Sequence, residues 1–326
     1  MKFVAKKIYK ELVKAQDILI VMHKEPDGDA LGSSLAMFEF IKKNLQKNPV
    51  VYSSTALPEN LKFLPYVEYV ETNKDAVNFS KFSLILVLDS GDLDYANIKE
   101  LVDKNQLIIN IDHHQTNQFY GELNMVDDKA ASTSEILYWF FKWNNLPISP
   151  NMATCLLTGL ITDTGNFTNA ATTTTALMVA GELVRFGAHL GNINDKTLKN
   201  KTIPSLKLWG LALSRLSKHR EIDLAHTFLT QKDFAEHQVD EEMADGISNF
   251  LNNLEEAKIA LVLKETKDGK IKGSLRTTHD DIDVAVIAQK LGGGGHRKAA
   301  GFTAEGNVDD ILKKIADVYK EVNSEL

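Results

Sequence analysis

The apolar residues in the first part of the chain fall into short runs that alternate with a segment of helical periodicity. The runs predict β-strands at 18–23, 50–54, 83–89 and 107–112, and the helical segment covers about 30–44. Two of the runs are apolar at nearly every position, which is typical of central strands buried on both faces. This alternation predicts an α/β fold in which helices cover both faces of a parallel sheet.

Helical periodicity dominates the next segment, from 132 to about 187. Ser132 or Thr133 and Thr172 are candidate N-caps in this segment, because their side-chain oxygens can accept hydrogen bonds from the first backbone amides of a helix. The aromatic residues at 139–143 lie within one such helix, so we expect them to fill a core or an interface.

The periodicity weakens at 187–200, where Gly, Asn and Lys are frequent, and we place the connection between two domains there. The rest of the chain predicts a smaller α+β domain with strands at 223–230, 257–265 and 270–277 and helices near 245–256, 283–291 and 308–324. The predicted organisation is a first domain at 1–188, a linker and connecting helix at 189–222, and a second domain at 223–326.

The composition fits a globular protein of two domains. With 326 residues, 44% apolar residues and a net charge of −7, the chain can bury a core but lacks the positive charge that binding of long nucleic acid requires. The lone Cys155 has no disulfide partner, which fits a reducing compartment. The N-terminal segment lacks the apolar stretch of a signal peptide, and no later run is long enough to span a bilayer. We therefore expect a cytoplasmic protein without membrane contacts.

Four clusters of acidic residues and histidines follow apolar segments, and three of the predicted strands end in such a residue. At the carboxyl ends of parallel strands these side chains would meet in the usual ligand crevice of an open α/β sheet. Oxygen and imidazole ligands without thiolate suit manganese, magnesium, zinc or iron, and several carboxylates suffice for two cations about 3.5 to 4 Å apart. The candidates are His23, Asp27, Asp29, Asp89, Asp112, His113, His114 and Asp163.

Each cluster taken alone has a structural explanation. An isolated Asp after a strand is usually a cap or turn residue, and two adjacent histidines are more often a surface or core feature than a pair of ligands. Four clusters at one edge of a sheet are hard to explain in this way, because several buried carboxylates are costly without cations. The sequence therefore favours a hydrolytic site with two divalent metal ions.

Four segments resemble, in the same order, the motifs of the DHH phosphoesterase family: HKEPDGDALGSS at 23–34, VLDSGD at 87–92, DHHQTN at 112–117 and GLITDTGNF at 159–167. SLRT at 274–277 and GGGGHRKAAGF at 292–302 resemble the first type of DHH-associated domain. The resemblance covers nearly the whole chain and is strongest to the stand-alone bacterial nanoRNases and pAp phosphatases. It implies a DHH catalytic domain and a substrate-binding domain that hydrolyse short 5′-phosphorylated RNA to mononucleotides, and 3′-phosphoadenosine 5′-phosphate (pAp) to AMP.

The resemblance also implies roles for the site residues. Two manganese ions, or other divalent ions, would be bound, with Asp89 bridging them. Asp112 would orient His113, and His114 would face the scissile phosphate as a hydrogen-bond donor or acid. Water would attack phosphorus directly, without a covalent intermediate. The implied ligands are His23, Asp27 and Asp89 for one ion, and Asp29, Asp89, His113 and Asp163 for the other.

The glycine run at 292–295 permits two interpretations. Such a run is most often a flexible loop. Here it precedes the basic residues His296, Arg297 and Lys298, and its backbone amides can approach an anion closely, so we favour anion binding. The resemblance implies that the terminal phosphate of the nucleotide is held, opposite the metals, by Arg276, Gly293, Gly294, Gly295 and His296.

Several alternatives remain for the function. The same chemistry would suit cyclic di-AMP or pApA, as in second-messenger phosphodiesterases, and a non-catalytic nucleotide sensor is less favoured. Family II pyrophosphatases carry the other type of associated domain and RecJ-type exonucleases are longer, so both are disfavoured. We expect short RNA oligonucleotides and small nucleotides as substrates, and the resemblance favours a homodimer.

Overall fold

The computed structural model describes residues 1–197, 202–244, 246–252 and 254–324. The chain divides into two compact units, Met1–Asn200 and Lys201–Leu326. Residues 198–200 of the predicted domain connection lie outside the described residues, as do residues 245 and 253 of a predicted helix. Among the described residues, no helix combines the length and the apolar character that crossing a bilayer requires.

A sheet of six parallel strands forms the centre of the first unit. The strands are β1 Ile18–Met22, β2 Val50–Tyr52, β3 Val70–Glu71, β4 Leu84–Leu88, β5 Leu107–Asp112 and β6 Leu123–Val126. Their spatial order is β3-β2-β1-β4-β5-β6. The four strands predicted from the sequence are confirmed as β1, β2, β4 and β5. The edge strands β3 and β6 were not predicted, because they are short and mostly half-exposed.

Six α-helices accompany this sheet among the described residues of the first unit. They are α1 Lys2–Lys14, α2 Gly28–Glu39, α3 Thr133–Trp143, α4 Pro150–Asp163, α5 Thr174–Arg185 and α6 Leu190–Thr197, and α2 continues as a π-helical turn, Phe40–Asn44. Ser132 is the N-cap of α3, as predicted. The predicted cap at Thr172 is wrong by one residue, because the side chain of Thr173 accepts the hydrogen bond from the Ala176 amide.

Both faces of the sheet are covered, which explains why its central strands are apolar throughout. On one face, Ile18 and Ile20 pack in a core with residues of helices α1 to α6. On the other face, Leu19 and Val21 pack with Phe79 in a layer of loops and short 3-10 helices. The predicted α/β class is therefore confirmed, but the prediction of helices on both faces is wrong for the second face, where the core contains no residue of a described α-helix. The carboxyl ends of β1, β4 and β5 are held in fixed positions by apolar packing on both sides.

The second unit is a mixed sheet with helices. Its strands are β7 Ser217–Lys218, β8 Leu224–Leu229, β9 Ile259–Glu265, β10 Ile271–Arg276, β11 Gly294–His296 and β12 Ala299–Ala304. They lie in the order β11-β12-β10-β9-β8-β7, and β8 and β9 are the parallel pair. The helices are α7 Ile203–Ser214, α8 Gln231–His237, α9 Ile247–Leu251, α10 Val284–Lys290 and α11 Val308–Ser324.

An ion pair fixes α7 to the start of α8 in this unit. The Arg215 guanidinium, just after α7, donates two hydrogen bonds to the Asp233 carboxylate, with Nη1–Oδ2 at 2.6 Å and Nη2–Oδ1 at 2.8 Å. Burial alone would raise the pKa of Asp233, but the hydrogen bonds from Arg215 and Thr230 lower it to about 2. Because folding lowers this pKa, the resulting stabilisation exists above the ordinary aspartate pKa and is lost as pH falls through about 2.

We expect Arg215→Met to lower the free energy of unfolding of the second unit by about 2 kcal/mol at pH 7, since it leaves a buried carboxylate without its partner. The difference from wild type should shrink between about pH 4 and pH 2. Urea unfolding, followed by tryptophan fluorescence in a background in which Trp139 and Trp143 of the first unit are replaced by Phe, measures this difference through Trp209. Lys232→Met, which removes an exposed ion pair with Glu236, is the control and should change little. An Arg215→Met effect of equal size at pH 7 and pH 2 would contradict this account.

Candidate metal centre

Three neighbouring strands end side by side at the candidate site. His23 follows β1, Asp89 follows β4 and Asp112 closes β5, and these strands are adjacent in the sheet. All three side chains are buried. The fourth cluster lies on a helix, because Asp163 is the last residue of α4, in agreement with the helical periodicity of this segment.

The N-terminus of α2 positions two carboxylates, Asp27 and Asp29, near these residues. Asp27 is the N-cap of α2, and its Oδ1 accepts hydrogen bonds from the amides of Asp29 and Ala30 at 2.9 and 3.1 Å. Asp29 is fully buried, and its two oxygens accept from the first amides of α3, Thr133 at 2.5 Å and Ser134 at 2.9 Å. Helix N-termini favour negative charge, so the start of α3 stabilises Asp29 as a carboxylate. These two contacts of α3 join segments that are far apart in the sequence and were not predicted.

His23, Asp27 and Asp89 form the first group that can hold a cation, with ligand atoms that all lie within 4.8 Å of one another. His23 Nε2 is 3.8 Å from Asp27 Oδ1 and 3.5 Å from Asp89 Oδ2. The Nδ1 atom of His23 is 2.7 Å from the Lys24 carbonyl. A proton on Nδ1 is therefore donated to that carbonyl, which leaves Nε2 facing the carboxylates as a ligand.

Asp29, His113 and Asp163 form the second group, within the same limit of 4.8 Å. His113 Nε2 lies 3.2 Å from Asp163 Oδ2 and 3.6 Å from Asp89 Oδ1. The two oxygens of Asp89 thus face different groups, since its Oδ2 is the atom close to His23. The geometry places one carboxylate between two sets of candidate ligands.

Asp89 adopts an unusual backbone conformation that aims its side chain. Its φ is +57°, in the left-handed region that residues other than Gly, Asn and Asp seldom adopt. The Asp89 amide donates to the Ile111 carbonyl of β5 at 3.0 Å, and the Thr133 hydroxyl donates to Asp89 Oδ1 at 2.9 Å. Pairing with the next strand and a contact with α3 therefore hold the carboxylate in place.

The third motif is arranged differently from the sequence expectation. Asp112 Oδ1 lies 2.7 Å from Nδ1 of His114, and its contact with His113 is a hydrogen bond from the backbone amide at 2.9 Å. The ring of His113 has its Nδ1 3.4 Å from the Ala130 carbonyl. The side-chain Nδ2 of Asn117 donates a hydrogen bond to Asp112 Oδ2 at 2.6 Å. Asp112 thus orients the ring of His114, whereas the sequence interpretation assigned it to His113.

The electrostatics of the cluster fit divalent cations. Burial, with the charges of Asp27 and Asp89, raises the pKa of Asp163 to about 6 despite the hydrogen bond from His113. Burial also raises the pKa of Asp29 well above its usual range, and neighbouring carboxylates add to the effect. Asp29 and Asp163 thus have less positive charge around them than ionised carboxylates need, whereas the histidines outweigh burial at Asp27 and Asp89 and lower the pKa of both. Cations among oxygen and imidazole ligands would supply the missing positive charge, and the residues present therefore fit a metal site.

Close packing of α2 on α4 brings Asp29 toward Asp163. A Cβ atom on Gly32 would lie 2.3 Å from the Cys155 carbonyl oxygen, and one on Gly159 would lie 2.4 Å from Asp29 Oδ1. Both distances are far shorter than a van der Waals contact. The two glycines are therefore needed for the helices to approach this closely.

We expect Gly159→Ala to displace Asp29 and to lower hydrolytic activity at least 10-fold, because a shift of about 1 Å at a positioned group is costly. Gly181→Ala is the matched control, since it also lies within a helix and its Cβ would meet no atom within 4 Å. Activity and thermal unfolding measured on both variants test the prediction. Full activity in Gly159→Ala would contradict the proposed packing constraint.

The expected phosphate-binding residues lie together in the second unit. Arg276 in β10 and His296 in β11 both pair with Ala299 of β12. The Arg276 Nε atom donates to Asn249 Oδ1 at 2.9 Å. The flexible-loop interpretation of the glycine run is wrong for its second half, since residues Gly294–His296 form β11.

Close strand pairing explains two of these glycines. A Cβ atom on Gly293 would lie 2.1 Å from the Gly301 carbonyl oxygen. A Cβ atom on Gly295 would lie 2.6 Å from the Ala299 carbonyl oxygen, and the φ of Gly295 is +140°. Gly294 has open space at its Cβ position. Gly294 and Gly295 belong to the edge strand of the sheet. Gly293 and Gly295 have no side chain at positions where the neighbouring backbone approaches closely.

Two families of known domains match the two parts of the chain. Residues 17–160 match the DHH family, N-terminal domain, and residues 222–321 match the DHHA1 domain. The chain belongs to the DHH family. The resemblance predicted from the motifs is therefore confirmed, and the protein is a phosphoesterase of the hydrolase class.

Two relatives are similar to this chain along most of its length. The bifunctional oligoribonuclease and PAP phosphatase NrnA of Thermus thermophilus is 32% identical over 314 residues, which are 95% of this chain and 92% of that protein. The cyclic-di-AMP phosphodiesterase PdeA of Listeria monocytogenes is 26% identical over 309 residues, 88% of this chain and 44% of that protein. The fold is shared with an exopolyphosphatase-related protein from Bacteroides fragilis, with a TM-score of 0.91, 24% identity, and coverage of 98% and 96% of the two chains.

Proposed function

We propose that this protein hydrolyses short 5′-phosphorylated oligoribonucleotides to mononucleotides and pAp to AMP, with manganese as its cofactor. The observation that carries the proposal is the position of Asp89, whose two oxygens face separate groups of candidate ligands. The relationship to an oligoribonuclease and PAP phosphatase along nearly the whole chain supports the choice of substrates.

The ligands of the two ions follow from the two groups. His23, Asp27 and Asp89 would hold one ion, and Asp29, Asp89, His113 and Asp163 would hold the other. When bound, such a pair of divalent ions lowers the pKa of water and stabilises negative charge on phosphate oxygens. Asp27 is the half-exposed member of these groups, with 55% of its side chain accessible, so solvent and substrate can approach from its side.

His114 is the proposed proton donor to the substrate. Its Nδ1 is held by Asp112 at 2.7 Å, which directs Nε2 away from that carboxylate. Burial lowers the pKa of His114, but the hydrogen bond to Asp112 and the charge of Asp89 outweigh burial and raise the pKa above its ordinary value. A protonated imidazole held in this way can donate to a phosphate oxygen or to the leaving oxygen.

The second unit would supply the phosphate-binding residues. Arg276 and His296 flank Ala299 on neighbouring strands, so a guanidinium and an imidazole lie near one another at one end of the sheet. An Arg side chain binds phosphate through two parallel hydrogen bonds. The amides of Gly293, Gly294 and Gly295 would add donors for the same terminal phosphate.

Cyclic di-AMP or pApA is the second candidate substrate, and the relationship to a cyclic-di-AMP phosphodiesterase supports it. The metal chemistry would be the same, and the difference would lie in contacts with base and sugar. A nucleotide sensor without catalysis is less favoured, because every position that the family resemblance assigns to a metal ligand carries an Asp or a His in this sequence.

We expect manganese-dependent release of mononucleotides from 5′-phosphorylated RNAs of two to five nucleotides, and of phosphate from pAp. Asp89→Asn should lower turnover by more than about 1000-fold, since it removes charge from both ligand groups. Chromatography of the products, with pApA and cyclic di-AMP as parallel substrates, measures both effects. Preference for cyclic di-AMP or pApA would favour the second candidate, and hydrolysis of none of these substrates with any divalent ion would favour the sensor.

A further inference from the structure

An exposed aromatic ring lies against the first group of candidate ligands. The ring of Tyr95 stacks on the imidazole of His23, with centroids 5.0 Å apart and planes inclined by 19°. Tyr95 is nevertheless 41% exposed. A residue that served only to pack against His23 would be expected to bury its ring more completely, because an exposed aromatic ring forfeits part of its hydrophobic stabilisation.

Backbone hydrogen bonds hold Tyr95 in this position. Its amide donates to Asp92 Oδ1 at 2.6 Å, and its carbonyl accepts from the Lys24 amide at 3.0 Å. The ammonium group of Lys24 also lies 5.8 Å from the centre of the Tyr95 ring. The ring is thus fixed between the loops that follow β1 and β4, with a cation beside it. A ligand with both a planar aromatic group and a phosphate would match these features.

A second exposed aromatic residue lies on the loop that follows β5. Phe119 is 62% exposed and has a φ of +52°, which is unfavourable for a bulky side chain. Its amide donates to Asn117 Oδ1 at 2.7 Å, and Asn117 in turn donates to the Asp112 carboxylate. Phe119 is therefore tied to the same network that orients the histidine of the catalytic motif.

Asp92 joins the two aromatic loops. Its Oδ1 accepts from the Tyr95 amide, and its Oδ2 lies 3.3 Å from Nε2 of Gln118, the residue before Phe119. The Gln118 amide also donates to the Gly91 carbonyl at 2.9 Å. Both rings are thus placed by ordered loops at the edge of the sheet that carries the metal centre. Ordered, exposed aromatic rings are the usual platform on which proteins stack the bases of single-stranded nucleic acid.

We infer that Tyr95 and Phe119 contact the nucleobases of the bound substrate, with Tyr95 at the base next to the reacting phosphate because its ring lies on His23. The inference rests on the proposed hydrolysis of short RNA and specifies how that substrate is recognised. Stacking tolerates any base, since every base has a flat face. The two rings therefore select for a nucleotide over a simple phosphate ester, without selecting a particular sequence.

The test compares a 5′-phosphorylated RNA dinucleotide with the same dinucleotide lacking both bases. Wild-type protein should hydrolyse the normal dinucleotide with the lower KM. Tyr95→Leu and Phe119→Ala should each raise KM for it about 5- to 100-fold, the range that loss of one base-stacking contact gives. Their KM for the abasic dinucleotide should stay within about 2-fold of wild type. Tyr95→Phe keeps the ring and should retain the wild-type KM for the normal dinucleotide.

Tyr69→Leu is the matched control, since Tyr69 is a similarly exposed tyrosine of the same unit that packs on Phe38, and it should leave both KM values unchanged. A fall in kcat of equal size on both dinucleotides in Tyr95→Leu, with no change in KM, would mean that the ring only positions His23. That outcome, or equal KM values of wild type for the two dinucleotides, would overturn the inference. Failure of the proposed function is distinguishable, because wild type would then hydrolyse neither dinucleotide.

Discussion

Repulsion among buried carboxylates is the constraint on which the first unit depends. Like charges interact strongly where the dielectric constant is low. Burial and the charge of Asp89 raise the pKa of both Asp29 and Asp163. The first backbone amides of α3 donate hydrogen bonds to Asp29, and the His113 ring lies close to both Asp89 and Asp163. Two divalent cations would neutralise the remaining negative charge of these carboxylates. The same carboxylates that repel one another would thus hold the ions on which the proposed hydrolysis depends.

The sheet and its helices contribute to the site in different ways. The strands supply His23, Asp89 and Asp112 at adjacent carboxyl ends, which apolar packing on both faces keeps aligned. The helices supply Asp29 and Asp163, and their separation is set by the glycine contacts between α2 and α4. A change in that helix packing would alter one ligand group and leave the strand residues in place.

Much of this arrangement could be predicted from the sequence, for identifiable reasons. Continuous apolar runs reveal strands buried on both faces, so β1, β4 and β5 and the residues that end them were evident. The strand β3 could not be predicted, because its two residues are too few to show an alternation of apolar and polar positions. The contact of Asp112 with His114 could not be predicted either, because it depends on the orientation of an imidazole ring. The N-cap of α5 was placed one residue too early, because each of four consecutive threonines has a hydroxyl oxygen that could cap the helix. The role of α3 in holding Asp29 required the tertiary structure, because the two segments are about a hundred positions apart.

The most direct test of the account is anomalous diffraction at the manganese edge from crystals of the protein grown with manganese. The account predicts two anomalous peaks on opposite sides of the Asp89 carboxylate, one beside His23 and Asp27 and the other beside His113 and Asp163. A single peak, or two peaks that do not share Asp89, would contradict the claim that this carboxylate bridges two metal ions.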